Sequence, residues 1–493
     1  MASCVTVFFA HFHETSTCRV TVDYNDKERK SSLARLLEKN MDKKKLMENL
    51  AREAHEKGVF TGTWLYAENG EIISKGAVGF CDPEDKKPVT EESIFELASV
   101  SKQFTAAAVM LLRRRGLLSL EDELSRFFPE NPYKGITIRH MLTHTCGLPD
   151  HEEWAMETLT DEDGTPDNSL CVHFLKECGQ KPLFAPGEKF EYSNTAYCLL
   201  AEIVEKVSGL PFEDFMKKEI FEPCGMNNTR VCHIRIDGIP FENFARGLVF
   251  VDGAYRIPDE LKTYREVVLL DGESGDGFVY TNIFDMLKWD RALRNETLIS
   301  KEEQEEMYTP GTLNSGEHGT WGEPDEIGYG FGWDIYNDPK IGRVVLHDGG
   351  WSGYITHFER GVDCDRVLIV LCCRGPEDER GFDGFYNGVS DIARDREPKP
   401  IRTIEDIALK NPDKSKWESF CGKYEHPEDA DFMIDEVFMK DGELHVHALD
   451  DGDEMTFRLY PLGEDEFGRK GGMLTLKFGD GCLMFDDFTC RKL

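Results

Sequence analysis

The sequence predicts an α+β protein in two parts: a layered domain with an antiparallel sheet flanked by helices, and a small all-β barrel at the carboxyl end. Three observations support this class. A strong hairpin signal is followed by a long helix-rich region, then by four successive strand patterns within 332–373, and finally by short, evenly spaced strands over 414–493. We expect the first two strands to pair with the later ones in a single sheet.

The first predicted element is an amphipathic helix that begins at Met41 and ends at Gly58, because leucine and alanine recur in it at four-residue spacing. Two strands follow, at 60–67 and 72–80. The Asn-Gly pair between them is a strong signal for a tight hairpin turn. This part of the chain therefore predicts a helix followed by a β-hairpin.

Helices dominate the middle of the chain. One opens at Ser99 and runs into an alanine-rich stretch, and another spans 197–209. Residues 210–330 mix helices with long polar loops, and Asn282 is predicted to cap a helix at 283–293. Four strands are then predicted at 332–336, 343–346, 353–358 and 366–373.

These patterns divide the chain into four segments. A loose N-terminal extension of 1–40 precedes the layered domain of 41–395. A proline-containing linker of 396–413 then leads to the small β domain of 414–493. The strands of that last domain are predicted at 432–437, 443–448, 455–460, 473–478 and 482–485.

The charge balance excludes some classes of partner. The chain has 93 acidic and 58 basic residues, a formal charge of −35, which argues against binding to nucleic acid or to an anionic membrane surface. No apolar run approaches the roughly 18 residues that span a bilayer. The N-terminus lacks the basic and apolar regions of a signal peptide. We therefore expect a cytoplasmic protein without membrane contacts.

Cysteine and histidine usage predicts neither a metal nor a cofactor. The 15 cysteines are scattered and odd in number, with no Cys-x-x-Cys pair, so reduced thiols are the simplest interpretation. His140 and His144 are four residues apart, but no glutamate follows His140, so the metalloprotease pattern is absent. Both histidines are expected to support the helix next to the site.

Ser99 and Lys102 stand three residues apart at the start of the alanine-rich helix. Side chains at this spacing share one face of a helical turn. A lysine in an apolar site favours its neutral form, which can take the proton of a serine hydroxyl. The pair predicts acyl transfer through a serine ester, while the motif alone fits an exposed lysine equally well.

Two further motifs carry polar groups suited to the same chemistry. Tyr192 and Asn194 precede a helix; a tyrosine beside a buried lysine can relay protons, and the asparagine can bind both the lysine and a substrate amide. His347 ends a predicted strand and is followed by Gly349 and Gly350, which let a substrate backbone approach closely. The histidine is either a donor to developing charge or a structural turn residue.

In this order the three motifs resemble those of the serine β-lactamase and penicillin-binding-protein superfamily, most of all the class C β-lactamase-related branch with its DD-peptidases, esterases and D-aminopeptidases. The matching motifs are Ser99-Val-Ser-Lys102, Tyr192-Ser-Asn194 and His347-Asp-Gly349. Flanking matches are His140-Met-Leu-Thr-His-Thr-Cys-Gly-Leu-Pro149, Pro186-Gly-Glu-Lys-Phe-Glu191 and Tyr329-Gly-Phe-Gly-Trp333.

The resemblance covers about 45–390 and implies a β-lactamase/transpeptidase-like fold with an all-helical subdomain. The tail at 414–493 resembles the lipocalin-like β domain often appended to this family. The resemblance also implies that Ser99 is the nucleophile and Lys102 its base. Tyr192 would handle the proton of the leaving group or activate water.

Substrate binding is implied for three further positions. Asn194 would orient the substrate and the lysine, and the backbone N–H groups of Ser99 and Gly350 would form the oxyanion hole, next to Gly349. His347 stands where many members have lysine. With an unperturbed pKa of about 6.5, it should attract a carboxylate less than lysine does, and less still above neutral pH. This departure favours peptidase or esterase chemistry over β-lactam hydrolysis.

The leading hypothesis is a serine hydrolase that forms an acyl-enzyme on an amide or ester, including peptides with D-amino acids. The alternatives are a catalytically slow binding or scaffold protein that retains the fold, and a true β-lactamase. We expect a small molecule or short peptide as substrate, selected by loops at 150–180 and 230–275. The oligomeric state stays open.

Overall fold

The computed structural model describes residues 26–82, 87–160, 164–251, 253–322, 327–425, 432–450, 453–471, 474–479, 481–485 and 488–493. The predicted extension of 1–40 lies mostly outside these residues. The helix that was expected to begin at Met41 begins earlier, at Asp26, so the last part of the predicted extension is helical. The chain groups into two compact units, Met1–Asp42 and Lys43–Leu493, and the features below belong to the second.

The α-helices follow the chain in this order: α1 (Asp26–Glu56), α2 (Lys102–Arg114), α3 (Leu124–Phe127), α4 (Ile138–Leu142), α5 (His151–Thr158), α6 (Ser169–Glu177), α7 (Asn194–Ser208), α8 (Phe212–Met216), α9 (Glu266–Leu269), α10 (Ile283–Arg294), α11 (Lys301–Met307), α12 (Glu379–Ala393), α13 (Ile404–Ile407) and α14 (Trp417–Phe420). In the described part of the chain, no helix is both long enough and apolar enough to cross a membrane.

The strands are β1 (Gly62–Glu68), β2 (Glu71–Val78), β3 (Phe80–Asp82), β4 (Lys87–Pro88), β5 (Phe95–Glu96), β6 (Arg230–Val231), β7 (Val249–Val251), β8 (Ala254–Arg256), β9 (Val279–Thr281), β10 (Gly328–Tyr329), β11 (Asp334–Asp338), β12 (Gly342–Trp351), β13 (Tyr354–Gly361), β14 (Arg366–Cys372), β15 (Gly422–Lys423), β16 (Phe432–Lys440), β17 (Glu443–Asp450), β18 (Asp453–Arg458), β19 (Tyr460–Pro461), β20 (Glu466–Gly468), β21 (Thr475–Gly479), β22 (Cys482–Phe485) and β23 (Phe488–Arg491).

One sheet of seven strands organises the layered part, in the order β10-β11-β12-β13-β14-β1-β2. Every neighbouring pair in it is antiparallel. β1 pairs with β14 along its whole length, from Gly62 opposite Cys372 to Glu68 opposite Arg366. The prediction that the first hairpin joins the later strands in one sheet is confirmed.

Both faces of this sheet are covered by helices, which explains the continuous apolar runs of its central strands. Trp64 and Tyr66 of β1 lie in one hydrophobic core, whereas Leu65 and Ala67 lie in the other. Successive side chains of a strand point to opposite faces. The first core contains residues of α1 and α12, and the second contains residues of α2, α7 and α10. The strands are therefore buried between two helical layers.

The helical region between α2 and β6 matches the predicted all-helical subdomain, since α3 to α8 follow one another there. The side chain of Ser193 caps α7, and Gly209 ends that helix at φ +71°, a left-handed conformation that suits glycine. Asn282 caps α10 as predicted, because its side chain accepts hydrogen bonds from the N–H groups of Phe284 and Asp285.

The C-terminal region is all-β, as predicted, but its described strands form two sheets instead of one closed barrel. The sheets are β15-β16-β17-β18 and β19-β20-β21-β22-β23. They share one hydrophobic core that includes Trp417, Phe467 and Phe478. The chain passes from the first sheet to the second at Leu459, whose N–H donates to the Leu444 carbonyl. An isolated bridge between Tyr424 and Lys492 connects the two sheets next to β15 and β23.

The predicted linker of 396–413 contains the short helix α13. The backbone N–H of Ile404 donates to the Asp378 carboxylate at 2.7 Å, and Asp406 forms an ion pair with Lys57 at 2.8 Å. These contacts attach the start of the C-terminal region to α1 and α12. The division into 41–395 and 414–493 stays a prediction.

Candidate active site

Ser99 and Lys102 meet at the junction of two helical segments. Ser99 lies in a 3-10 turn, Ala98–Ser101, that leads directly into α2, and Lys102 is the first residue of that helix. The lysine Nζ lies 3.1 Å from the Ser99 Oγ. Lys102 is fully buried, whereas Ser99 is partly exposed. The predicted nucleophile therefore faces solvent on one side and the lysine on the other.

Two further oxygens hold the Lys102 ammonium. Nζ donates to Asn194 Oδ1 at 2.7 Å and to the backbone carbonyl of Asp276 at 2.9 Å. Burial lowers the pKa of Lys102, and the nearby Asp276 carboxylate opposes that change. The ammonium form donates to these two oxygens and to the Ser99 Oγ. In the neutral form, the two remaining protons would stay on the carbonyl-type oxygens and the lone pair would face the Ser99 hydroxyl.

The loop that carries Asp276 is fastened to α2 and to the turn before it. Thr105 Oγ1 donates to the carbonyl of Gly275 at 2.6 Å, and the N–H of Val279 donates to Ser101 Oγ at 3.2 Å. Gly275 has φ +107°, and a side chain there would meet the Tyr197 carbonyl oxygen at 2.5 Å. Sequence reasoning missed this loop, because a backbone carbonyl leaves no residue-type signal.

Tyr192 lies over the lysine, with Lys102 Nζ 4.9 Å from the centre of its ring. Its hydroxyl is shielded from solvent and has no hydrogen-bond partner within the described residues. Burial raises the pKa of Tyr192 well above its usual value, although the nearby Ser99 hydroxyl favours the ionised form. Tyr192 therefore keeps its proton and can donate it to a bound substrate.

Gly349 and Gly350 of β12 differ in what surrounds them. A side chain on Gly349 would meet the carbonyl oxygen of Leu97 at 2.2 Å and Thr356 Oγ1 at 2.3 Å. Nothing lies within 4 Å of the corresponding position on Gly350. Gly350 instead lines a recess together with Ser99 and Asn194. The first glycine lets the sheet approach the nucleophile turn, and the second leaves space for a substrate.

The sequence predicted His347 at the end of a strand, but it lies within β12. The strand continues through both glycines to Trp351. Nδ1 lies 2.6 Å from the carbonyl oxygen of Asp348, which can only accept, so this nitrogen carries the proton. Nε2 is 2.8 Å from the hydroxyl of Tyr329 and accepts from it. Both ring nitrogens are therefore occupied within the protein.

The charge of His347 also differs from expectation. Burial, and then the charge of Lys102, lower the pKa of His347 to about 4. The imidazole is neutral across the physiological range, so the expected weakening of carboxylate attraction above neutral pH does not arise. In this structure His347 orients Tyr329 and offers no free N–H to a substrate. Tyr329 was part of a matching segment in the sequence, but no pattern had given it a role.

His144 supports the Tyr192 loop through its ring. Its Nδ1 accepts a hydrogen bond from the backbone N–H of Ser193 at 3.1 Å, and its ring centre lies 4.2 Å from that of Tyr192. His140 instead caps the start of α4 by accepting from the N–H of Thr137 at 3.2 Å. His140 thus supports α4, and His144 supports Ser193, the residue that caps α7 beside the site.

The predicted residues thus share one region: Ser99, Lys102 and Asn194 are joined by hydrogen bonds, and Tyr192 covers them. The Beta-lactamase family model matches residues 34–388. The chain belongs to this family. The family resemblance seen in the motifs is confirmed.

Two curated relatives show the range of the family. Penicillin-binding protein 4* of Bacillus subtilis (strain 168) is 41% identical over 332 residues, which cover 67% of this chain and 72% of that protein. Esterase EstB of Burkholderia gladioli is 29% identical over 335 residues, which cover 59% of this chain and 80% of that protein. Members of one serine hydrolase superfamily thus include penicillin-binding proteins and an esterase.

Solved structures support the β-lactamase/transpeptidase-like fold. The octameric penicillin-binding protein homologue from Pyrococcus abyssi aligns with a TM-score of 0.60 at 23% identity, over 91% of this chain and 99% of that one. The D-amino acid amidase from Ochrobactrum anthropi SV3 aligns with a TM-score of 0.57 at 24% identity, over 72% of this chain and 96% of that one. The predicted fold class is confirmed.

The two glycines give a matched pair of variants. We expect Gly349→Ala to lower the free energy of unfolding by about 1–3 kcal/mol, because its methyl group would collide with the Leu97 carbonyl. Gly350→Ala should leave stability unchanged, since its methyl group meets open space. Chemical unfolding followed by circular dichroism measures both. Equal losses in the two variants would contradict the close approach.

The neutral His347 predicts a pH dependence of stability. Its pKa is about 4 in the folded protein and about 6.5 when unfolded, so the unfolded chain binds more protons between these values. This contribution is complete above pH 6.5 and is lost as pH falls towards 4, for a total of up to about 3 kcal/mol.

Comparison with the His347→Gln variant isolates the contribution of His347 to the pH dependence of the unfolding free energy. Unfolding free energies measured for both proteins at pH 7 and pH 4.5 should fall less steeply in the variant. A slope that the substitution leaves unaltered would show that His347 has the same pKa in the folded and unfolded protein, which contradicts the buried neutral imidazole.

Proposed function

We propose that the protein is a serine hydrolase that transfers the acyl group of a small amide or ester to Ser99 and then to water. The observation that carries this proposal is the buried Lys102, whose Nζ lies 3.1 Å from the Ser99 Oγ. An exposed lysine would be fully charged and unable to accept a proton. Penicillin-binding protein 4* and Esterase EstB, as named relatives, support the same chemistry.

In the acylation step, Ser99 Oγ attacks the substrate carbonyl carbon while its proton moves to Lys102 Nζ. The oxygen of the tetrahedral intermediate is stabilised by the backbone N–H groups of Ser99 and Gly350, in line with the family pattern. Tyr192 gives its phenolic proton to the leaving nitrogen or oxygen and regains one from Lys102. The bond to the leaving group then breaks and the ester on Ser99 remains.

Deacylation runs the same proton path in reverse. A water molecule in the recess loses one proton, which passes through Tyr192 to Lys102, as its oxygen attacks the ester carbonyl. The proton returns to Ser99 Oγ when the acid product leaves. Asn194 contributes by keeping Lys102 in place through the 2.7 Å hydrogen bond, and its side chain also lines the recess.

We further infer that the preferred substrates carry a free amino group. The recess beside Ser99 contains four carboxyl groups, of which three have partners: Glu96 accepts from Tyr280, Glu273 from His151 and Asp276 from Cys198. The remaining carboxyl group, Glu152, has no hydrogen-bond partner within the described part of the chain.

Burial raises the pKa of Glu152 to about 8, so its surroundings disfavour its negative charge. A substrate ammonium would restore that charge and gain a charge-assisted hydrogen bond. The neutral His347 offers no matching group for a substrate carboxylate. Amino-acyl amides and esters fit these features better than acidic substrates, and the D-amino acid amidase of the same fold is compatible with this class.

We also propose that the protein is located in the cytoplasm. The cysteines within the described residues form no disulfide with one another, which supports a reducing environment such as the cytoplasm.

Covalent labelling tests the nucleophile. A fluorophosphonate probe should label the wild-type protein at Ser99, and Ser99→Ala should abolish labelling. Lys102→Met should slow labelling by at least about 100-fold, since general-base catalysis contributes that much. The exposed Ser315→Ala is the matched control and should label normally. Labelling of the Ser99→Ala protein at the wild-type rate would refute the assignment.

Turnover of two substrate types tests the amine preference. Glu152→Gln should lower kcat/KM for an amino-acid p-nitroanilide by about 10-fold or more, the worth of one charge-assisted hydrogen bond. Hydrolysis of p-nitrophenyl acetate, which has no amine, should change little. A parallel loss on both substrates would reject the role of Glu152, while rapid nitrocefin turnover would favour a true β-lactamase.

A further inference from the structure

We propose that His151, Cys171, Cys198 and Glu273 form a closed structural zinc site directly behind the active site. One ligand atom from each residue can be chosen so that all four lie within 4.8 Å of one another. His151, Cys171 and Cys198 are fully buried, and Glu273 is 1% exposed. One imidazole nitrogen, two thiol sulfurs and one carboxylate oxygen make a four-membered ligand set that suits tetrahedral zinc.

The orientation of His151 favours a metal ligand. Thr195 donates its hydroxyl proton to the carbonyl of Pro149 at 3.1 Å, so its oxygen is left to accept. It accepts from the backbone N–H of His151 at 3.0 Å and from Nδ1 at 2.9 Å. The proton is thereby fixed on Nδ1, and Nε2 faces the cluster. Metal-binding histidines usually have such an outer hydrogen bond on the second nitrogen.

The other three ligand groups converge on the same point. Both carboxylate oxygens of Glu273 lie 2.9 Å from His151 Nε2. Cys171 Sγ lies 3.7 Å from Glu273 Oε1. Burial raises the pKa of both thiols. A zinc ion would take the place of the hydrogen bonds between these groups, and small side-chain movements would bring the ligand atoms to bonding distance.

Two buried carboxyl groups favour a cation at this place. Glu273 and Asp276 are buried carboxyl groups on one short segment, and Cys198 Sγ lies 3.2 Å from Asp276 Oδ1. Buried carboxylates are costly unless a positive group compensates them. Without a metal, His151 Nε2 and the Glu273 carboxyl group share one proton in their hydrogen bond. With zinc, that proton leaves, and the ion offsets two of the three negative charges of Glu273 and the two thiolates.

The proposed site would link the segments that hold the catalytic lysine. Cys198 lies one helical turn after Asn194 on α7, and Glu273 lies three residues before Asp276. Asn194 and Asp276 are the two residues whose carbonyl-type oxygens accept hydrogen bonds from Lys102 Nζ. Zinc would keep both segments in register with α5 and α6 without touching the substrate. Its binding releases to water the two thiol protons and the proton shared by His151 and Glu273, so apparent affinity rises with pH.

Elemental analysis of the full chain, purified without chelators, is the first test. We expect about one zinc per chain, as in other structural sites. Replacement by Co²⁺ should produce the ultraviolet thiolate-to-cobalt bands and the visible absorption of tetrahedral cobalt. Neither readout depends on hydrolase activity, so failure of the proposed function would leave this test intact.

Variants make the assignment specific. Cys198→Ser and Glu273→Gln should each reduce bound zinc by about 10-fold or more at equal folded content by circular dichroism. Cys373→Ser is the matched control, because Cys373 is fully buried and its thiol also contacts an oxygen, the Thr61 carbonyl. That variant should retain its zinc.

Three results would overturn the proposal. One is wild-type protein that contains no zinc and shows neither a cobalt spectrum nor a rise in melting temperature when either ion is added. Another is normal zinc content in Cys198→Ser. The last is a Cys171–Cys198 disulfide in freshly purified wild-type protein, which would leave two of the four ligands unable to bind.

Discussion

The burial of Lys102 is the constraint on which the site depends. A lysine amine in a fully buried position requires partners, and here they come from three separate segments: the Ser99 turn, the start of α7 and the loop that ends at Asp276. Each of these oxygens must be placed to within a few tenths of an ångström. The contacts that stabilise the buried amine also orient it towards the serine hydroxyl.

The sheet holds the nucleophile turn from the other side. Thr356 of β13 donates to the carbonyl of Leu97 at 2.6 Å, and Gly349 of β12 approaches that same oxygen. Between Leu97 and Ser99, Ala98 has φ +48°, a left-handed conformation that non-glycine residues rarely adopt. The surrounding contacts hold this strained residue in place, as is common at functional sites. The turn is therefore clamped between α2 and the sheet.

The electrostatics of the two sides of the site are different. On one side, Tyr192 and His347 are uncharged, because burial keeps the phenol protonated and the imidazole deprotonated. On the other side, Glu152, Glu273 and Asp276 concentrate carboxyl groups. A ligand that enters between them meets neutral groups on one side and acids on the other. This asymmetry bears on both the amine preference and the buried cation proposed above.

The sequence by itself determined the strand and helix pattern of the layered part, because hydrophobic period is a local property. It placed Ser99, Lys102, Tyr192 and Asn194 in one site only through the resemblance of their motifs to those of a known family. It did not reveal the role of the Asp276 carbonyl, the pairing of His347 with Tyr329 or the separation of the C-terminal strands into two sheets. Each of these depends on which distant groups meet. The cluster of His151, Cys171, Cys198 and Glu273 is the extreme case: its members span 122 positions, so only tertiary packing brings them together.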